Sequence, residues 1–151
     1  MYTNPIISLL DTTTQTIAVS GTPQIVTFNT TNIAQKIILT STSRFTVNES
    51  GYYKVVVNFQ VTSSAANKTF DLWFRVSGTD VSNSLSKNII SNSNDQKDIA
   101  HITYVNMTAG QYIECWINGD STGLSILSSA AGVTPTRPAA GSIYMIIEKL
   151  P

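Results

Sequence analysis

The chain has 151 residues, with nine Lys plus Arg balanced by nine Asp plus Glu, 12% charged and 42% hydrophobic side chains, and a single cysteine. That length allows one domain with a sizeable core, and the pairing of low charge with ample hydrophobicity excludes intrinsic disorder. Zero net charge removes the main drive for binding nucleic acid, and Cys115 on its own excludes an intrachain disulfide.

Surface polarity must come from neutral groups, and the chain holds 20 Thr, 18 Ser and 12 Asn. Ile, Val, Thr, Tyr and Phe are abundant and helical spacing is absent, so strands are expected throughout. In chain order they are expected near Ile6 to Leu10, Gln24 to Asn29, Ile37 to Leu39 and Arg44 to Val47. The clearest follows, Gly51 to Val61, where Tyr53, Val55, Val57, Phe59 and Val61 alternate with mostly polar neighbours. Phe70 to Val76 alternates in the same way against Asp71, Trp73 and Arg75. Ile99 to Met107, Gln111 to Asn118, Leu124 to Leu127 and Ser142 to Lys149 complete about ten strands. Gly21-Thr22-Pro23, Asn48 to Gly51, Thr108-Ala109-Gly110 and Asn118-Gly119 carry turn chemistry, with Asn118-Gly119 the strongest hairpin signal. The Ser82 to Lys97 and Ser128 to Gly141 segments read as long polar loops. Together these imply one all-β domain over residues 1–151, an antiparallel sandwich or jelly roll of about ten strands.

Three strands are apolar on both faces. Gln111 to Ile117 sets Ile113, Cys115 and Ile117 against Tyr112 and Trp116. The last strand sets Ile143, Met145 and Ile147 against Tyr144 and Ile146, and the central strand adds Tyr52 and Val56 to its polar side. A two-layer sandwich leaves each outer face wet, so these faces call for a second cover, and a partner subunit would supply it.

Phe45-Thr46-Val47 leading into Glu49-Ser50-Gly51-Tyr52-Tyr53, then Leu72-Trp73-Phe74-Arg75, Gly110-Gln111-Tyr112-Ile113 and Pro138-Ala139-Ala140-Gly141-Ser142-Ile143 resemble the jelly-roll domain of complement's q subcomponent and the tumour-necrosis-factor superfamily. Gln111 stands where that family usually has Asp. With Thr14-Gln15-Thr16-Ile17 and Pro23 to Thr31, the order of motifs is similar to versions of this domain in tailed phages and large DNA viruses. The resemblance implies a homotrimer packed through an inner sheet containing the central, Gly-Gln-Tyr and final strands. The interface it implies is Tyr52, Val56, Tyr112, Trp116, Tyr144 and Ile146.

Candidate chemistry is sparse. His101 is the only histidine and is expected on an outer or interfacial strand face, with no spacing that completes a triad. Cys115, in phase with Ile113 and Ile117, is expected as a buried inert thiol. Zinc lacks ligands, and Asp80, Asp95 and Asp120 are isolated acids rather than a calcium cluster, so no metal or cofactor is expected. Trp73 points away from the core and either stacks on a sugar ring or packs against a loop. Four Asn-x-Ser/Thr triplets are matches a chain of this composition produces by chance. Met1 to Pro5 lacks a basic segment and an apolar run, so no export signal is expected, and no apolar run reaches the length of a membrane span. The expectation is a non-enzymatic virion protein, a surface decoration or the head of a fibre or spike. Its partners would be itself, other virion proteins and a host glycan or receptor. The alternative is a soluble trimeric module, lectin-like or cytokine-like, that binds through its loops.

Overall fold

The computed structural model describes residues 4–151; Met1 to Thr3, part of the segment read for an export signal, lie outside the described residues. The described strands are β1 (Ile6–Asp11), β2 (Gln15–Thr16), β3 (Gln24–Ile25), β4 (Thr30–Gln35), β5 (Ile37–Ser41), β6 (Arg44–Val47), β7 (Gly51–Ser63) and β8 (Lys68–Val76). They continue with β9 (Thr79–Asp80), β10 (Ser86–Ile90), β11 (Gln96–Met107), β12 (Tyr112–Gly119), β13 (Leu124–Ile126), β14 (Gly132–Val133), β15 (Thr136–Arg137) and β16 (Ile143–Lys149). Ten of these have four residues or more. They divide evenly between two antiparallel sheets, with β4, β1, β16, β7 and β11 in the first and β5, β6, β12, β8 and β10 in the second.

Period-two patterning decides how the sheets pack. The inward series Tyr53, Val55, Val57, Phe59 and Val61 on β7 meets Phe70, Leu72 and Phe74 on β8 and Ile113, Cys115 and Ile117 on β12, and all are fully buried. Phe59 and Phe70 close the contact between sheets at 5.9 Å, and Phe28 packs edge-on against Phe45 at 5.4 Å. The burial expected of Cys115 is realised, and it pushes the thiol well above its ordinary pKa.

Several boundaries differ from expectation for identifiable reasons. β4 (TTNIAQ) and β10 lie where no strand was expected, because both are edge strands with few buried residues and polar sequences. β10 occupies much of the expected Ser82 to Lys97 loop. Only Gln24–Ile25 of the Gln24 to Asn29 run pairs as strand. Asn118-Gly119 is not a hairpin turn. β12 runs through Gly119, and the chain changes sheets over residues 120–123. Gly119 is needed for closeness instead, since a Cβ there would stand 2.7 Å from Leu124 Cδ1 and 3.1 Å from Ile17 Cγ1. Gly119→Ala should therefore overpack this buried corner and cost about 1–3 kcal/mol, read as a lower urea midpoint. An unchanged midpoint would show that Ile17 and Leu124 yield freely.

An ionic clasp holds the start of β7. Lys36 Nζ donates to Glu49 Oε1 at 2.9 Å and Lys149 Nζ donates to Glu49 Oε2 at 3.0 Å, joining the β4–β5 connection, the β6–β7 turn and β16. Hydrogen bonds from Lys36, and then Lys149, hold the Glu49 carboxyl below the usual carboxylate range. A folded pKa below the unfolded one adds stability that is present above the unfolded pKa and lost as pH falls through the folded value. In a series of thermal midpoints across acid pH, Glu49→Gln should decline less steeply than wild type. Parallel curves would mean that the clasp contributes nothing.

Candidate subunit interface

The six residues expected at one interface fall on two opposite faces. β7 and β16 are hydrogen-bonded neighbours in the first sheet, but β12 is the centre of the second, paired with β6 and β8. The expectation that all three doubly apolar strands share one sheet is thus corrected. Tyr112 and Trp116 sit on the outer face of the second sheet, remote from Tyr52, Val56, Tyr144 and Ile146.

Tyr112 and Trp116 have a cover of their own. The Arg44 guanidinium lies 4.5 Å from the Tyr112 ring centroid, and that of Arg75 lies 4.2 Å from the Trp116 ring. Glu114, buried between them, accepts from Arg44 Nε at 2.6 Å and from Trp116 Nε1 at 2.9 Å. Asp80 accepts from Trp73 Nε1 at 2.8 Å and from Arg75 Nε, and these bonds, the arginine's first, lower its carboxyl pKa. A guanidinium lies over each of the two aromatic rings, and both residues are half-buried within the single chain. A sequence pattern records which residues share a strand face; it does not record that arginines from β6 and β8 will lie across it.

Among the described residues, the outer face of the first sheet has no such cover. The register places Ile102 on β11, Val56 on β7 and Ile146 on β16 in one cross-strand row, which Ser8 and Ile33 continue across β1 and β4. Tyr104 flanks the row on β11 and Tyr144 flanks it on β16, Tyr52 lies farther along β7 beyond Lys54, and Ile33, Tyr52, Ile102, Tyr104, Tyr144 and Ile146 are all exposed. Tyr52 and Tyr104 are each 61% accessible, a large apolar exposure for a free surface. Tyr144 is fixed in place, its hydroxyl accepting from Gly141 N–H at 2.8 Å. A loose Lys54–Glu148 pair, 3.9 Å apart, is the ionic element in this patch. Ile102 and Tyr104 went unread in the sequence although β11 carries the same signal, with both lying opposite in phase to Val105 and Met107.

His101 does not lie on this face. It is opposite Val57 in the β11–β7 register and turns into the sandwich, its ring stacked on Phe74 at 6.2 Å and Nε2 2.9 Å from the Ser84 carbonyl oxygen. The expected outer placement is corrected: with Ile99, Thr103, Val105 and Met107, it belongs to the inward phase of β11. Among the described residues no group of three or more His, Cys, Asp or Glu could hold a metal ion. Asp95 accepts from Asn92 Nδ2, and Asp120 accepts from the Thr69 amide.

No protein-family model and no curated protein sequence matches this chain. Among solved structures it is similar to murine APRIL at pH 5.0, a tumour-necrosis-factor-family jelly roll. The TM-score is 0.64 at 9% identity, over 97% of this chain and 99% of that one. The two seven-stranded antiparallel sheets, their order and this likeness together make the fold a tumour-necrosis-factor-like jelly roll.

Proposed function

We propose that this protein is a non-enzymatic assembly module, a homotrimer that buries the Tyr52, Val56, Ile102, Tyr104, Tyr144 and Ile146 face between subunits. It would serve as a virion surface decoration or the head of a fibre or spike. The observation that carries the assembly is the contiguous, uncovered apolar row Ile102–Val56–Ile146 with its flanking tyrosines. Exposed tyrosines beside an aliphatic row are a composition that interface cores favour, and the Lys54–Glu148 pair set among them brings its own counter-charge. The trimer is the assembly that the motif resemblance implies, and the viral setting rests on that same resemblance. In this reading the protein is made in the host cytoplasm and reaches the outside on the particle. Its partners are its own copies and other virion proteins, and Ser, Thr and Asn in the loops give it a neutral polar exterior. The inward-turned His101 and buried Cys115 support a role without turnover. Sedimentation equilibrium at micromolar concentration tests the assembly. A mass near three times 16.4 kDa supports it, and a monomer overturns it.

A second reading, a trimeric module that binds a glycan or receptor, gains support from a cavity beside Trp73 on the second sheet.

A further inference from the structure

A cavity of about 320 Å³ opens on the outer face of the second sheet, lined by Asp71, Trp73, Asp80, Val81, Leu85 and Asn118 among others. That volume is at the lower end of small-molecule sites, and its lining combines apolar surface with a few convergent polar groups. The Trp73 indole is fixed before any ligand arrives, because its N–H is committed to Asp80. Asp71 and Asn118 are direct partners across β8 and β12, and the Oδ1 atom of each is buried without a donor. Buried acceptors are ordinarily paired, so this pair is left wanting donors. Both residues line the cavity, and a ligand hydroxyl reaching either Oδ1 would supply the missing donor.

Charge narrows the ligand class. Asp80 is held by Arg75, and Lys87 lies opposite Asp71 in the β8–β10 register, so the formal charges of these four residues cancel. An indole, apolar walls and unfilled acceptors suit a ligand with an apolar ring face and several hydroxyl donors. We propose that this cavity binds a neutral sugar ring, packed on Trp73 with its hydroxyls donating to Asp71 and Asn118. The inference deepens the second reading, naming its place and ligand class. It does not depend on the trimer, because the cavity and the subunit face lie on different sheets.

The test titrates the full chain with a panel of neutral methyl hexosides, following the Trp73 indole N–H by NMR. Support is a saturable shift with at least one glycoside while the Tyr52 and Ile102 amides stay still, and binding about tenfold weaker in Asp71→Ala. Leu85→Asp, a change at an exposed lining residue, gives the same readout should Asp71→Ala fold poorly. No shift up to the solubility of each sugar overturns the proposal, as does unchanged binding in the folded variant or a response to lysine methyl ester alone. A failed titration leaves the oligomeric mass, and the assembly reading, standing. A monomeric mass leaves the titration equally informative.

Discussion

Ile146→Lys should convert the oligomer to a folded monomer at micromolar concentration. Ile146 sits in the row with Val56 and Ile102, and in the isolated chain it is 41% accessible, so a lysine there remains hydrated and folding is affected by less than about 0.5 kcal/mol. In the assembly the same ammonium would be enclosed among isoleucine and tyrosine side chains, with Glu148 the nearby acid already facing Lys54. Enclosing an unpaired charge costs several kcal/mol, and each 1.4 kcal/mol is about tenfold in affinity, so association should weaken by about a hundredfold or more at each subunit contact. Ile89→Lys is the matched control, the same change at a residue 52% accessible on the outer face of the second sheet. It should leave the mass untouched. Sedimentation with circular dichroism separates the outcomes: equal loss of mass in both variants, or none in Ile146→Lys, would sink the assignment of the interface to the first sheet.

That assignment also shows where sequence reasoning succeeds and stops. Alternation along β7, β8 and β16 is legible because each residue's face follows from its parity; about ten such strands with turn chemistry between them give an antiparallel sandwich or jelly roll, and the motif resemblance selects the jelly roll. Parity also reveals that Tyr52, Val56, Tyr144 and Ile146 oppose the core. It does not reveal which strands become neighbours, since that depends on connections that cross between sheets, and β12 joined the other sheet for that reason. Edge strands escaped for a related reason: β4 and β10 bury little, so their sequences carry little periodic signal. The Asn118-Gly119 dipeptide misled because glycine serves both tight turns and close approach, and only the neighbours Leu124 and Ile17 decide between them. The pairing of Asp71 with Asn118, on which the cavity depends, required the β8–β12 register, a long-range fact outside the reach of local pattern.

Phe59→Ala should be the most damaging single change in the core, costing about 3–5 kcal/mol. Phe59 is fully buried on β7, its backbone paired with Ile99 on β11 and Ile143 on β16, and its ring meets Phe70 from the opposite sheet. Truncation removes the ring and leaves a void between two hydrogen-bonded sheets, whose backbone ladders limit how far the site can collapse. Phe59→Leu keeps most of the volume and should cost under about 1.5 kcal/mol. Against a typical total of about 5–15 kcal/mol, the alanine variant loses a large share of the folding stability. Subunit association would mask part of that loss, because binding confined to the folded state raises apparent stability with protein concentration. The measurement therefore belongs in the Ile146→Lys background, where the urea midpoint should not vary with concentration. Ile146 and Phe59 face opposite sides of the first sheet, and their effects should add within about 0.5 kcal/mol. A Phe59→Ala midpoint within 1 kcal/mol of its parent, by a rough two-state extrapolation, would mean that the sheets are not packed through this contact.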